Sequence, residues 1–561
     1  MPIPSAAAIA IACRCLVAAL ALGLAPPAAA AGLIHNATIH AMDAQRTRAE
    51  AMAWDEQGRI VAVGSLEQVR AAAPGVPEHD LGGRAVLPGL IDAHAHVMNL
   101  GRARLSADLV GADSIEEIVR RLRAHAATLP KDAWLTGRGW DQTLWGNEFP
   151  SASDLDAAFP ERPVLLERID GHASWANTAA MRRVERDLSG SWQPEGGLVV
   201  RDAGGEPTGI FIDAAANLLL AVVPAPTEAE EALALDRALD EMARLGLTGV
   251  HEAGTPLDVL RRYLHRQAAG RLPVRIFAMA DGDAATLDAL CRLGVIDTPR
   301  VDARTVKIYA DGALGSRGAA LLEPYSDDPG NRGLLFADDA ALQSLVDRAM
   351  DCGLQVAIHA IGDRANRQAI DAIVAGQRRY PENPGRHRIE HVQVVAPADI
   401  ERIGEHGIVA SVQPTHATSD MRWAAERVGE ERLRGAYAWR KLKSSGALLA
   451  LGSDFPVEPA NPMFGIHAAV TRRDRDGEPP GGWRPEDRLG VDEAVAGFTI
   501  DAARAAFAED EVGSLEPGKR ADFVVLDADP FEVDAAALAG IGVVITAVDG
   551  RIVHRAEGSP L

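Results

Sequence analysis

The sequence predicts a (β/α)8 TIM-like barrel with a large insertion after its first strand and a small composite β-sandwich domain from both chain ends. Three observations support this fold class. Eight short apolar runs alternate with helix-like stretches, which is the pattern of a parallel sheet. The runs are regularly spaced except for one long gap, and both ends of the chain are β-rich while the middle is not.

The beginning of the chain resembles an export signal. Residues 6–25 are apolar apart from Arg14 and small residues, and residues 25–32 offer Ala-x-Ala cleavage sites. We therefore expect a signal peptide over residues 1–31 and a periplasmic or secreted protein. An uncleaved anchor is the alternative, because the apolar run is near membrane-spanning length. After cleavage we expect no membrane association.

Two β-rich segments flank the barrel. "GLIHNATIHAMD" and "AMAWDEQGRIVAVG" follow the signal, and "ADFVVLDADP" and "VVITAV" lie near the end of the chain. Chain termini often lie close together, so the two segments can pair into one domain. We place its two parts at residues 32–86 and 511–561, with the barrel between them at residues 87–510.

The eight candidate barrel strands are "LIDAHAH", "TGVHEAG", "VRIFAMA", "VKIYADG", "QVAIHAIGD", "RIEHVQ", "IVASVQP" and "LALGSDF". The gap between the first and second predicts an insertion at about residues 100–225. This segment carries five of the nine tryptophans: Trp134, Trp140, Trp145, Trp175 and Trp192. They are interpreted as the insertion's own core. The alternative is that some, with Trp140 as the candidate, line a substrate cavity.

Charge and cysteine content exclude several classes of function. The net charge is −22 without basic clusters, which disfavours binding to nucleic acid or anionic membrane and is compatible with a small-molecule substrate. Cys291 and Cys352 are the cysteines outside the signal, and we expect both to serve packing. They leave no room for a cysteine-based zinc site. Homo-oligomerisation is left open.

Polar side chains recur toward the carboxyl ends of the candidate strands, where barrel active sites form. Lys307 interrupts an apolar run, and taken alone it suggests snorkelling or pairing with Asp311. Four histidines and an aspartate accompany it, and burying them together would be costly without a metal ion. The sequence therefore predicts a metal site. The residues are His94, His96, Lys307, His359, His391 and Asp454.

These motifs resemble a known family. "LPGLIDAHAH", "VAIHAIGD", "RIEHVQ" and "LGSDFPV" are similar to the amidohydrolase superfamily of metal-dependent hydrolases. "DGALGSRGA" and "DGHASWANT" are similar to its amidohydrolase-3 group, which includes N-substituted formamide deformylases. "GSLEPGKRADFVVLD" resembles the small β-sandwich domain of these enzymes.

The resemblance implies a site with two divalent ions. His94, His96 and Asp454 would bind one ion, His359 and His391 the other, and an N-carboxylated Lys307 would bridge them. Zinc is favoured, while Mn, Fe or Co would also suit these ligands. Metal-activated hydroxide would attack a carbonyl, and Asp454 would pass the proton to the leaving amine.

The expected reaction is hydrolysis of a non-peptide C–N bond, in an amide, N-formyl or related compound. Hydrolysis of an ester, lactone or phosphoester at the same site is the alternative, and a non-catalytic binding protein on a barrel scaffold is a third interpretation. Candidates for substrate binding, besides Trp140, are Arg317, His172 and His416. His251 ends the second strand and could support a ligand.

Overall fold

The computed structural model describes residues 30–146, 148–169, 173–194 and 197–560. The expected signal peptide falls almost wholly, and His172 wholly, outside these residues. Two compact units are distinguished: one contains the described residues up to His96 together with Leu239 onward, and the other spans Val97–Ala238. In the described parts of the chain, no helix combines the length and the apolarity needed to cross a membrane.

The first unit contains a parallel eight-stranded barrel, which confirms the predicted fold class. Adjacent strands pair in parallel and in chain order from the first to the eighth. The barrel strands, numbered first to eighth below, are Leu90–Ala95, Leu247–Thr255, Arg275–Asp281, Val301–Tyr309, Gln355–Ala360, Arg388–His391, Val409–Val412 and Leu449–Leu451.

The seam between the eighth and first strands closes just beyond their carboxyl ends. The Asp454 N–H donates to His94 O at 2.7 Å, and the His96 N–H donates to Phe455 O at 2.8 Å. Asp92 reinforces the seam by accepting from Ser453 Oγ at 2.6 Å. Gly452 permits this approach, because a Cβ there would lie 2.5 Å from His94 N. Strand closure therefore brings Asp454 beside the two histidines of the first strand.

Helices connect the barrel strands. Several begin at side-chain caps: Asp283 accepts from Ala285 N and Thr286 N, and Asp338 accepts from Ala341 N. From the second strand onward the connecting α-helices are Leu257–Ala268, Ala284–Leu293, Asp339–Asp351, Asp363–Arg379, Pro397–Glu405, Pro414–Asp420, Ala424–Arg432 and Trp439–Ser444. Glu228–Arg244 precedes the second strand, and Pro462–Thr471, Val491–Gly497 and Ile500–Ala505 follow the eighth.

The first unit has two further sheets, of which the six-stranded one combines strands from both chain ends, and an apolar cluster containing Ile34, Phe523 and Ile545 packs between them. The six-stranded sheet runs Arg551–Arg555, Val543–Val548, Phe523–Leu526, Ala85–Pro88, Thr38–His40 and Arg48–Ala49. The four-stranded sheet runs Ile60–Gly64, Ala51–Trp54, Gly32–His35 and Glu78–Asp80, with helix Leu66–Ala72 beside it.

The second unit lies in sequence between the first and second barrel strands and has its own sheet and core. Its sheet runs Gly197–Arg201, Pro207–Asp213, Ala173–Ala176, Val164–Arg168, Leu135–Trp140 and Ala107–Asp108. The α-helices that lie wholly within this unit are Val97–Ala103, Ile115–Ala126, Ala152–Asp156, Thr178–Met181 and Asn217–Leu220. Trp140 and Trp175 are fully buried in this core. Trp140 therefore offers no surface to a substrate, which corrects its assignment as a substrate-binding candidate.

The expectation that Cys291 and Cys352 serve only packing is wrong, because they form a disulfide across 61 residues of sequence. The bond joins helix Ala284–Leu293 to the residue after helix Asp339–Asp351. These helices follow the third and fourth barrel strands, and the two Cα atoms lie 5.2 Å apart, a spacing suited to a disulfide. Sequence spacing alone could not reveal this neighbourhood.

Candidate metal centre

Three side chains meet at the carboxyl end of the barrel with metal-binding geometry. Ligand atoms of His94, His391 and Asp454 all lie within 4.8 Å of one another, and all three residues are buried. These residues come from the first strand, the end of the sixth and the loop after the eighth. The barrel thus gathers groups that are far apart in sequence.

The other sequence-predicted ligands surround this group. His96 Nε2 lies 3.1 Å from Asp454 Oδ1. The ring centroid of His359 lies 4.5 Å from that of His391. Lys307 Nζ lies 3.2 Å from His94 Nε2. All six predicted residues are therefore brought to one place.

Lys307 is buried at this site and neither reaches solvent nor pairs with Asp311. It is 1% exposed, and burial lowers its pKa to about 8, against the opposing charges of Glu390 and Asp454. Asp311 instead accepts hydrogen bonds from the backbone N–H groups of Ala320, Ile361 and Gly362. The two simple explanations of a lysine in this strand are thus excluded.

Three histidines are held with one ring nitrogen directed away from the cluster. Nδ1 of His94 lies 2.6 Å from Glu390 Oε2, and His96 Nδ1 donates to Ala253 O at 2.9 Å. Nδ1 of His391 lies 2.8 Å from Gln413 Oε1. Because these oxygens are hydrogen-bond acceptors, the ring proton lies on Nδ1 and each Nε2 is left with a lone pair. Such support is typical of metal-binding histidines.

Two of the candidate ligands lie on strained backbone. His391 has φ of 76° and Asp454 has φ of 63°, a left-handed region that non-glycine residues seldom occupy. Glu390 and His391 are adjacent, and simple strand alternation would place them on opposite faces. The turn at His391 allows both side chains to approach His94. Such strain is concentrated at functional sites.

The electrostatics favour a cation here. Burial raises the pKa of Asp454, but the surrounding histidines, first among them His96, hold that pKa well below its usual value. Burial, followed by the charge of Lys307, lowers the pKa of His94 to about 4 and that of His359 to about 3. His94 and His359 are therefore neutral imidazoles beside a carboxylate, which are the protonation states that bind metal.

The residues fit a metal ion on an independent observation. Buried polar atoms nearly always have hydrogen-bond partners. Within the described residues, His359 Nε2, His416 Nε2 and Asp454 Oδ1 are buried without one. All belong to this cluster, since His416 Nε2 lies 3.7 Å from Asp454 Oδ2. A bound cation would satisfy the aspartate and imidazole atoms that the protein leaves unpaired.

Among the substrate-binding candidates that fall within the described residues, His416 lies at this site. It is on helix Pro414–Asp420, after the seventh strand, and its ring stacks 6.0 Å from that of His391. Arg317 instead forms a two-pronged ion pair with Asp327, with atoms 2.8 and 3.2 Å apart. Its guanidinium is thus engaged in an ion pair within the protein.

Sequence reasoning did not identify the residues that support the ligands. Glu390, Gln413 and Arg388 were missed, although the charged pair in "RIEHVQ" was a visible signal in an otherwise apolar strand. His251 supports the site indirectly through Arg388, because Arg388 Nη1 lies 2.5 Å from His251 Nδ1.

Tyr309 connects the cluster with solvent. It is 40% exposed, its ring centroid lies 5.6 Å from that of His359, and Lys307 Nζ lies 5.1 Å from the ring. Among the described residues its hydroxyl has no hydrogen-bond partner. A Cβ at Gly254 would lie 2.7 Å from this hydroxyl and 3.2 Å from Asp281 Oδ1, so the glycine keeps the space between them open.

The barrel and this cluster define a metal-dependent hydrolase. Comparisons with known proteins agree: the model of the Amidohydrolase family matches residues 78–554. The chain therefore belongs to the amidohydrolase family, which confirms the resemblance inferred from its motifs.

Individual proteins support the same assignment. The chain is 35% identical over 531 residues to "Putative amidohydrolase YtcJ" of Bacillus subtilis, covering 93% of this chain and 98% of that protein. It is 29% identical over 554 residues to an "N-substituted formamide deformylase" of Arthrobacter pascens, covering 94% and 99%. An uncharacterized metal-dependent hydrolase from Pyrococcus horikoshii has a similar structure, with TM-score 0.76, 30% identity and coverage of 90% and 99%.

Proposed function

We propose that this protein hydrolyses a non-peptide C–N bond in a small amide or N-formyl compound. The observation that carries the proposal is the convergence of His94, His391 and Asp454 beside buried ligand atoms that lack protein partners. The bond type is supported by similarity to a protein named N-substituted formamide deformylase along almost the whole chain.

The proposed cofactor is a pair of divalent ions, with zinc favoured. His94, His96 and Asp454 would hold one, and His359 and His391 the other. Lys307 would carry a carboxyl group on Nζ, formed when the neutral amine adds CO2 and releases one proton. Bound divalent ions would supply Lewis acidity and a water molecule of lowered pKa.

The protein's own groups then perform the proton transfers. Asp454, kept ionised by its histidine neighbours, accepts a proton from the attacking water and returns it to the leaving nitrogen. The Tyr309 hydroxyl, at the exposed edge of the site, donates a hydrogen bond to the substrate oxygen on which negative charge develops. His416 lies beside Asp454 and would contact the substrate.

A matched substrate panel tests the bond type. N-formyl and N-acyl amines would be compared with esters, lactones and phosphoesters of similar size, using zinc-loaded protein. We expect the highest kcat/KM among the C–N compounds. Turnover confined to esters or phosphoesters would replace this proposal with the alternative chemistry, and no turnover of any substrate by metal-loaded protein would favour a binding function.

Export is proposed for the same protein. The Cys291–Cys352 disulfide supports it, because disulfides form and persist mainly in oxidising compartments. N-terminal sequencing of protein recovered from the periplasm or medium should show cleavage near Ala30 or Ala31. Recovery of the uncleaved chain from the cytoplasm alone, with both thiols free, would contradict export.

A further inference from the structure

Arg388 and Glu390 form a buried ion pair directly beneath the proposed metal centre. They are 1% and 0% exposed, respectively, and both lie on the sixth barrel strand. Arg388 Nε donates to Glu390 Oε1 at 2.8 Å, and Arg388 Nη2 donates to Oε2 at 3.2 Å. Glu390 Oε2 also lies 2.6 Å from His94 Nδ1, so one carboxylate contacts both the arginine and the histidine.

Arg388 connects this carboxylate to three other barrel strands. Its Nη2 donates to Ala93 O at 2.8 Å and to Ser411 Oγ at 3.0 Å. Its Nη1 lies 2.5 Å from His251 Nδ1. The guanidinium therefore contacts the first, second, sixth and seventh strands, and Glu390 cannot shift without disturbing all of them.

Stability alone is a poor explanation for this pair. Removing two charges from water is costly, and well-packed apolar residues often serve a barrel interior equally well. The Glu390 carboxylate nevertheless contacts a single imidazole, that of His94. Arg388 donates to both oxygens of Glu390, so the group facing His94 is a carboxylate paired with a guanidinium.

The partner of His94 differs from those of two other histidines in the cluster. His96 Nδ1 donates to a backbone carbonyl, and His391 Nδ1 faces a neutral amide oxygen. His94 Nδ1 faces a carboxylate. A charged acceptor makes the stronger hydrogen bond and increases the electron density at the opposite nitrogen. That nitrogen, Nε2, points toward Lys307 Nζ and Asp454 Oδ1, at 3.2 and 3.7 Å.

We propose that Glu390, held in place by Arg388, is a positioning residue that strengthens His94 as an imidazole ligand of the proposed metal centre. It keeps the proton on Nδ1 and aims Nε2 at the site. This inference rests on the metal-dependent function proposed above. It adds that ion retention depends on two residues that touch neither metal nor substrate.

Zinc affinity measured by chelator competition tests the proposal. The full chain would be compared with Glu390→Gln, which removes the charge, and Glu390→Asp, which keeps the charge but withdraws it from His94. Asp399→Asn is the matched control, because Asp399 is a buried carboxylate on helix Pro397–Glu405 that pairs with Arg367 and Arg402. Absorption spectra of the cobalt-loaded proteins would report the ligand geometry.

We expect both Glu390 variants to raise the zinc Kd about 10- to 100-fold and to alter the cobalt spectrum. Asp399→Asn should lower thermal stability without changing the Kd. If Glu390→Gln does not fold, Glu390→Asp decides the outcome. Folded Glu390 variants with wild-type Kd and spectrum would overturn the inference and leave the proposed function intact. Failure of the wild-type protein to bind zinc, manganese, iron or cobalt would overturn the proposed function itself.

Discussion

The two ends of the barrel differ in how completely their buried polar and charged groups are paired. At the amino end, Arg275 donates to both carboxylate oxygens of Asp522, at 2.7 and 2.9 Å, and to Asp549 at 2.5 Å. Arg300 Nη2 lies 2.7 Å from Oδ2 of the same Asp549. At the carboxyl end, His359, His416 and Asp454 keep buried polar atoms without hydrogen-bond partners among the described residues.

This difference separates a structural cluster from a functional one. The amino end also has a cavity of about 430 Å³ lined by five arginines, yet each of them already faces a carboxylate. Burial opposes the charge of Arg275, but Asp522 and Asp549 raise its pKa. The size of a cavity is therefore less informative here than the absence of partners for buried atoms.

Metal removal should have the largest effect and should distinguish the two ends most clearly. Chelation to a metal-free state is expected to abolish hydrolysis, and zinc, manganese or cobalt should restore it. Thermal stability should also fall, because ligands of the native state stabilise it. Elemental analysis alongside rate measurements checks this prediction. Undiminished turnover by protein verified to be metal-free would contradict it.

Substitution of Asp454 should have the next largest effect. Asp454→Asn removes the proton acceptor and is expected to lower kcat about 10²- to 10⁴-fold while largely preserving the fold. Asp522→Asn is the matched control at the opposite end, and it should lower stability while leaving the kcat of folded protein unchanged. The role of Asp454 would be refuted by near-wild-type kcat in its variant.

Breaking the amino-end cluster should affect stability alone. Arg275→Met leaves Asp522 buried without its main partner and is expected to cost about 3–5 kcal/mol of unfolding free energy. Denaturant titration measures this loss, and active-site titration gives kcat per folded molecule. A large fall in that kcat would show that the two ends of the barrel are coupled.

Removal of the Tyr309 hydroxyl should have the smallest effect. Tyr309→Phe keeps the ring against His359 and is expected to lower kcat about 10- to 100-fold with little change in stability, because a single donor to the substrate oxygen is lost. Tyr325→Phe is the control, since the Tyr325 hydroxyl donates to Ala319 O. Equal kcat in wild type and Tyr309→Phe would exclude the phenol from catalysis.

The sequence predicted the barrel and the six strand-end residues because both depend on regular patterns. Apolar runs mark the strands, and the carboxyl-end rule places Lys307 and His359 at one mouth. Alternation could not predict that Glu390 and His391 both approach His94, since this requires a left-handed residue. Nor could a motif reveal that Asp327 engages Arg317, or that Trp140 packs inward, because those contacts arise from tertiary structure.

The position of the barrel seam determines when the site can form. His94 lies on the first strand and Asp454 follows the last, and they meet through the close contact that Gly452 permits. During synthesis, the chain emerges with its first two ligands long before the aspartate that joins them. The proposed metal centre therefore lacks its aspartate until residue 454 has been made, and metal loading of that centre would report a completed barrel.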